Sequence, residues 1–280
     1  MYKIVEKKEL SPEIMLYRID APLIAKKAKP GQFIILRVEE GGERIPLTIA
    51  DSDAETGLVT IIFQIVGYTT RRLSMLQQGE CLLDFVGPLG KASELDGIKK
   101  ACIIGGGCGS AIAYPQAKAL HQMGAKVDVI NGFRNKGLVI LDEEFQSVSD
   151  HYYICTDDGS CGSPGFVTQK LKSLLEEGAE YDTVIALGPL PMMRAVCDIT
   201  RDPYIKTVIS MNSIMLDGTG MCGACRLTVG GETKFACVDG PEFDGHLVDF
   251  AEAMERGKMY HKEEMESLEK HQCRLLGGAK

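Results

Sequence analysis

Lys100-Ala-Cys-Ile-Ile104 runs directly into Gly105-Gly-Gly-Cys-Gly109, and a segment of helical character follows from Ser110 to Met123. A short apolar run, a glycine turn and a helix form the first half of a βαβ unit. Lys126-Val-Asp-Val-Ile130 supplies the next strand, ending at Asn131-Gly132-Phe133-Arg134. Tyr152-Tyr-Ile-Cys155 and Thr183-Val-Ile-Ala-Leu187 read as further strands, with helices over 165–177 and 191–201. Strands alternating with helices predict a parallel sheet covered by helices across residues 98–207.

The glycine run of Gly105, Gly106, Gly107, Cys108 and Gly109 stands where backbone N–H groups can cradle a phosphate. It departs from the dinucleotide fingerprint, because Ser110 occupies the third glycine position and no acidic residue closes the second strand. A plain tight turn is the alternative. Thr156-Asp157-Asp158-Gly159-Ser160 follows another strand, and Leu187-Gly188-Pro189-Leu190-Pro191-Met192 follows a third. Ligands in open α/β sheets bind at the carboxyl ends of strands. Three such loops argue for a nucleotide more strongly than one.

Residues 1–97 have a different rhythm. Residues 14–19, 32–38 and 58–65 are short apolar or alternating runs, rich in β-branched residues. Turn chemistry separates them at Lys29-Pro-Gly31, Glu40-Gly-Gly42, Asp51-Ser-Asp53 and Gly87-Pro-Leu-Gly90. This spacing predicts a small antiparallel barrel. Arg44-Ile-Pro46-Leu47-Thr48 puts a cation and a hydroxyl on one extended segment. Gly67-Tyr-Thr69-Thr70-Arg71 opens a helix with N–H and O–H donors. Together they could hold a pyrophosphate; a solvated Arg beside an ordinary capped helix is the plainer alternative.

Residues 208–246 carry the third segment. Asp217-Gly-Thr-Gly-Met-Cys222-Gly-Ala-Cys225 and then Cys237 give Asp-x4-Cys-x2-Cys-x11-Cys. The plant-type [2Fe–2S] pattern is Cys-x4-Cys-x2-Cys with a distant fourth Cys. Here a carboxylate stands for the first thiolate. Thiolates suit iron–sulfur clusters, and a carboxylate can bind ferric iron as a hard anion. A structural zinc site with three Cys and one Asp also fits, as do three core cysteines in a turn. Residues 225–229 and 233–238 around Gly230-Gly231 read as a hairpin that returns Cys237 to Cys225. Residues 247–280 are helical and charged, read either as a solvated surface helix or as a docking element for a partner subunit.

Composition narrows the classes. The chain has 280 residues, 45% of them apolar, and a net charge of −8. An acidic chain is a poor partner for nucleic acid or an anionic membrane. No apolar run reaches 18 residues, so no membrane span is expected. The charged N-terminus lacks a secretory hydrophobic region, which predicts a cytoplasmic protein. Ten cysteines are then expected as reduced thiols or metal ligands rather than disulfides. Cys81, Cys102, Cys155 and Cys197 read as small core residues; Cys108 and Cys161 lie in the nucleotide-side loops.

With these motifs in order, the whole chain resembles the ferredoxin–NADP reductase superfamily. Within it, the chain is similar to the iron–sulfur flavoprotein subunits related to the electron-transfer subunit of dihydroorotate dehydrogenase. The resemblance rests on Arg44 to Asp51, Gly105 to Gly109, Gly132-Phe-Arg134, Thr156 to Ser160, Gly188 to Met192 and the cysteine loop. It implies an FAD-binding barrel over 1–97, an NAD(P)-binding α/β domain over 98–207, a [2Fe–2S] segment over 208–246 and a helical tail over 247–280. It places Arg44 toward the FAD pyrophosphate and Thr48 near the isoalloxazine ring. Pro46, Leu47, Ile62, Gln64, Gly67, Thr69 and Thr70 complete the flavin side. It gives Gly105–Gly109, Arg134, Asp157, Gly188, Pro189 and Met192 to the pyridine nucleotide, and Asp217, Cys222, Cys225 and Cys237 to the cluster. No side chain is implied as a catalytic acid or base. Asp in the first ligand position matches the ferredoxin:NADP oxidoreductase type of small subunit, whereas the dihydroorotate dehydrogenase type has Cys. NAD(H) is implied as substrate, with NADP(H) open because Arg134 could meet a 2′-phosphate. The implied partner is a larger subunit with FAD and [4Fe–4S] clusters, through which ferredoxin is reached. Subunits of dihydroorotate dehydrogenase, of a sulfide or polysulfide reductase, or of a hydrogenase are the neighbouring readings.

Overall fold

The computed structural model describes residues 1–267. Seven antiparallel strands make the first sheet: β1 (Tyr2–Ser11), β2 (Ile14–Asp20), β3 (Phe33–Arg37), β4 (Ile45–Asp53), β5 (Leu58–Gln64), β6 (Cys81–Leu82) and β7 (Asp84–Leu89). Their order is β6-β1-β2-β5-β4-β3-β7. The two outer strands are joined by Leu83 alone, so the sheet curls until its edges nearly meet. Inward alternation fills it with Tyr17, Ile34, Leu36, Ile61, Phe63 and Phe85, all fully buried. Two short helices accompany the barrel, α1 (Pro22–Ala25) and α2 (Tyr68–Met75). The Tyr17 hydroxyl lies within donating distance of the Leu73 and Leu76 carbonyls, at 2.8 and 3.0 Å, and so ties the end of α2 to the barrel.

The second half is a parallel sheet with helices. Its elements are β8 (Lys100–Gly106), α3 (Gly109–Gln122), β9 (Lys126–Phe133), α4 (Asp142–Ser147), β10 (His151–Thr156), β11 (Ser163–Pro164), α5 (Val167–Glu176), β12 (Thr183–Leu187), α6 (Leu190–Arg201) and β13 (Lys206–Ser210). The C-terminal segment adds the hairpin β14 (Arg226–Val229) and β15 (Glu232–Phe235), then β16 (Glu242–Asp244) and α7 (Phe250–Arg256). The sheet order is β11-β10-β9-β8-β12-β13-β16, and only β16 runs antiparallel to its neighbour. From β8 the chain steps one way through β9, β10 and β11, then crosses back to β12 on the other side. That reversal leaves a crevice beyond the carboxyl ends of β8 and β12, where such sheets bind ligands.

Several expectations change. Asp51-Ser-Asp53 is not a turn but the end of β4; the reversal comes at 54–57, where Asp53 accepts from the Glu55 and Thr56 N–H groups at 2.8 and 3.2 Å. Gly87-Pro-Leu89 belongs to β7, which tolerates proline because it lies at the sheet edge. The boundary expected between 207 and 208 falls inside β13, whose pairing with β12 ties the two segments together. β16 likewise returns the cysteine segment to the sheet edge. The tail is not simply solvated. Phe250 and Ala253 of α7 are buried in the same core as Cys225 and Cys237. A further helical stretch covers 261–267, and the rest of the expected tail helix lies outside the described residues. Among the described residues, no helix is long and apolar enough to cross a membrane.

Candidate functional site

The crevice between barrel and sheet has a volume of about 930 Å³. From the barrel side it is lined by Pro46, Leu47 and Thr48 of β4, Ile62 and Gln64 of β5, and Thr70 in the first turn of α2. From the sheet side come Gly106, Gly107, Cys108 and Gly109, then Arg134 after β9, Asp157 after β10, and Gly188, Pro189 and Met192 after β12. The fold thus gathers loops spread over 147 positions, from Pro46 to Met192, into one cavity.

Two glycines are needed for closeness. A Cβ on Gly106 would meet Pro189 Cδ at 3.1 Å and Met192 Sδ at 2.5 Å. Gly188 has φ 157°, a conformation side chains rarely adopt. Together they let the β8 and β12 loops touch and leave the start of α3 directed at the crevice. Donor N–H groups and the positive end of the α3 dipole favour an anion there. The lining contains one Lys or Arg among the described residues, Arg134, which is exposed.

Four expected contacts are placed elsewhere. Arg44 does not line the crevice. Its Nε donates to the Leu216 carbonyl at 2.7 Å and its guanidinium lies 3.6 Å from Asp84. Thr69 is buried and its hydroxyl donates to Glu43 at 2.6 Å. The Gly67 N–H donates to Thr70 Oγ1 at 3.0 Å, so this glycine shapes the start of α2. Gly105 is sealed beneath the loop, where a Cβ would meet Ser110 at 2.7 Å. Conversely, Ile112, Phe166, Met211 and Met215 line the crevice without any motif to mark them. Their signal is only that apolar residues near strand ends need cover.

The cysteine loop starts two residues after Met215. Gly218, Gly220 and Gly223 have φ of 81°, 84° and 67°, so the chain coils tightly around the loop centre. Gly218 packs onto the barrel, where a Cβ would meet Leu89 and Ile35 side-chain atoms at 2.7 and 2.8 Å. The hairpin returns Cys237 to Cys225, with the Cys237 N–H 3.4 Å from Cys225 Sγ. Both cysteines are buried, Cys222 is exposed, and none is in a disulfide. Burial, reinforced by the Cys225 sulfur, pushes the Cys237 thiol up to about 12. Such a thiol stays protonated at neutral pH unless a cation replaces its proton.

Asp217 is turned onto its own loop. It accepts from the Thr219 hydroxyl at 2.8 Å and the Cys222 N–H at 2.7 Å, and also from the Thr219 N–H. These bonds, led by Thr219, hold its carboxyl well below the usual carboxylate range. Among the described residues, no three His, Cys, Asp or Glu side chains already converge as a metal-binding group. The donor set fits an iron–sulfur group: three thiols on coiled, glycine-rich backbone beside an ionised carboxylate. The Asp217 Oδ2 accepts one bond, from the Cys222 N–H, which leaves a lone pair on that oxygen for iron.

An antiparallel barrel facing a switched parallel sheet, with a cysteine loop against the shared crevice, defines an oxidoreductase subunit of the ferredoxin–NADP reductase class. Comparison with known proteins narrows this. Residues 212–249 match the family described as the iron-sulfur cluster binding domain of dihydroorotate dehydrogenase B. That match selects iron–sulfur over zinc or a plain core turn for the cysteine loop. The chain is 43% identical over 268 residues to the dihydroorotate dehydrogenase B (NAD(+)) electron transfer subunit homolog of Thermotoga maritima, covering 96% of this chain and 94% of that one. It is 52% identical over 272 residues to an uncharacterized protein in the adh 3′ region of Clostridium beijerinckii, covering 94% and 92%. It matches a solved structure of an NADH-dependent reduced ferredoxin-NADP oxidoreductase, studied for flavin-based electron bifurcation, with TM-score 0.92 and 41% identity, covering 97% of this chain and 98% of that one. The chain belongs to the family of dihydroorotate dehydrogenase B electron-transfer subunits and their homologues.

Proposed function

We propose that this chain passes electrons between NAD(H), FAD and a [2Fe–2S] cluster and on to a larger partner subunit, in flavin-based bifurcation linking ferredoxin, NADH and NADP. The observation that carries this reading is the contiguity of the two sites. Met215 lines the crevice and Asp217 opens the cysteine loop two residues later. Two residues of chain span at most about 7 Å, a short step for an electron.

In this reading Pro46, Leu47, Thr48, Ile62, Gln64 and Thr70 hold the flavin against the barrel. The Gly106–Gly109 loop brings the start of α3 to the dinucleotide phosphates, with the Gly107 N–H already donating to the Gly132 carbonyl at 2.8 Å. Asp157, Arg134 and the Gly188–Met192 loop hold the rest of the nucleotide. Asp217, Cys222, Cys225 and Cys237 hold the cluster. The flavin, when bound, supplies the conversion of a two-electron hydride into single electrons. The protein's part is placement, exclusion of water and electrostatic tuning; no side chain in the crevice has to carry a proton. The full-length likeness to the bifurcating oxidoreductase supports the ferredoxin and NADP link. The family match over 212–249 also favours a second reading, electron delivery to a dihydroorotate dehydrogenase subunit.

Purification with the native partner tests both. The first reading expects flavin bands with broad iron–sulfur absorbance, a co-purifying subunit with its own FAD and iron, and NADP reduction by NADH with reduced ferredoxin. Dihydroorotate oxidation instead would support the second reading. A colourless protein carrying zinc would overturn both.

A further inference from the structure

The cysteine loop is gripped at both ends by arginines from outside it. Arg44, at the foot of β4, donates from Nε to the Leu216 carbonyl at 2.7 Å, immediately before Asp217. Arg256, in the last turn of α7, donates to the Ala224 carbonyl at 2.9 Å, immediately before Cys225. The two grips come from 172 and 32 residues away in sequence, one from the barrel and one from the tail helix. Neither arginine lines the crevice. A third arginine, Arg226, reaches the Gly223 carbonyl at 3.2 Å from within the hairpin itself.

Each grip is itself braced. Asp84 stands 3.6 Å from the Arg44 guanidinium and 2.8 Å from Arg37. On the other side, α7 is pinned to the hairpin by Glu252, which accepts from the Thr228 N–H at 2.9 Å. The side chain of its cap residue, Asp249, accepts from the Glu252 N–H at 3.0 Å. Phe250 and Ala253 fix the helix in the core that holds Cys225 and Cys237. The tail helix therefore reports its position directly to a ligand-bearing turn.

We propose that Arg44 and Arg256 are positioning residues that clamp the cysteine loop between barrel and tail helix and, as two cations beside it, raise the reduction potential of the cluster it holds. The proposal rests on the iron–sulfur reading of that loop. Adding an electron makes a cluster more negative, so nearby positive charge favours the reduced form, and hydrogen bonding and net charge set cluster potentials. Arginine suits the task because its fork can hold a carbonyl and an anion at once and its charge is permanent. Arg44 thus serves the cluster side of the crevice rather than the flavin pyrophosphate.

The test uses the full chain with its partner, saturated with added FAD, as Arg44→Gln, Arg256→Gln and the matching Lys variants. Cluster midpoint potential and EPR signal are recorded, with iron and FAD per chain. Both Gln variants are expected to lower the potential and shift or broaden the EPR signal. The Lys variants should recover the potential in part, because charge returns without the paired geometry. Circular dichroism before and after identifies any unfolded variant, and the Lys variant then decides that position. Potentials and EPR signals unchanged in the FAD-replete Gln variants overturn the proposal. So does a lowered FAD content of Arg44→Gln as purified, before FAD is added, together with a cluster signal unaltered after saturation, which would return Arg44 to the flavin. A wild-type chain with no iron–sulfur signal refutes the reading of the loop itself and is distinguishable from both.

Discussion

Replacing Gly109 by Ala drives a methyl group into the end of β12. Gly109 is the first residue of α3, and its ideal Cβ position lies 2.7 Å from both the Gly188 Cα and the Leu187 carbonyl carbon, with the Leu187 oxygen closer still. Non-bonded carbons rest at about 3.5–4.0 Å, so the gap must open by roughly 1 Å. The opposing atoms are backbone. They belong to the end of a strand flanked by β8 and β13 and buried along its whole length, so they cannot rotate away. The start of α3 has to move. Overpacking of this kind costs about 1–3 kcal/mol, and rigid opposition places this site at the upper end. The same displacement lifts the α3 N–H groups from a bound phosphate. Losing one charge-assisted hydrogen bond costs about 1.5–3 kcal/mol, which is about tenfold or more in affinity. Urea unfolding followed by circular dichroism reads the first effect, and NADH titration monitored by flavin fluorescence reads the second. Gly107 is the control for the urea measurement: no protein atom lies within 4 Å of its Cβ position and its φ is 56°, so in the protein alone Gly107→Ala meets only backbone strain. A Gly109→Ala protein with the wild-type urea midpoint and an NADH affinity within about twofold of wild type would show that α3 and β12 do not approach this closely.

Three further outcomes follow from the same geometry. Asp217→Cys supplies a thiolate in place of a carboxylate and should change both the midpoint potential and the EPR spectrum; identical values would mean that Asp217 never binds iron. Phe145 is fully buried between Tyr114 and Tyr152, so Phe145→Ala should cost about 3–5 kcal/mol in chemical denaturation. Glu242 accepts from Ser93 and Gln116, both at 2.8 Å, where burial raises its carboxyl above the ordinary value. A raised folded value means that the native state holds the proton longer. Stability attributable to Glu242 is therefore greatest below the unfolded Glu value of about 4.3 and declines as pH rises through the folded value. Glu242→Gln should flatten that part of the stability–pH curve, and an unchanged slope would remove Glu242 as its source.

Local pattern was enough for the two halves and for the cysteine loop. β12 occupies the stretch read from sequence, because a buried parallel strand is a continuous apolar run with little ambiguity. The hairpin around Gly230-Gly231 was equally legible, and it brings Cys237 to Cys225 because β14 and β15 pair from Arg226 with Phe235 to Val229 with Glu232. β1, β13 and β16 were not legible. Their residues are mixed in polarity, and their strand character comes from neighbours in the sheet rather than from a period of their own. Asp51 and Asp53 look like turn residues, yet pairing with β5 extends β4 through them.

The sequence by itself determined the chemistry available: glycine loops after three strands, and three thiols with one carboxylate at cluster spacing. Those are properties of residue type and short separation, which a chain carries before it folds. The tertiary structure decided who meets whom. It turned Arg44 from the crevice to the Leu216 carbonyl and brought Arg256 to the other end of the loop. It also sealed Gly105 and Thr69 away and filled the crevice wall with unmarked apolar residues. The direction of a side chain at the end of a strand depends on barrel closure and on a segment 172 residues distant. Long-range packing fixes both, and no local window of sequence contains it.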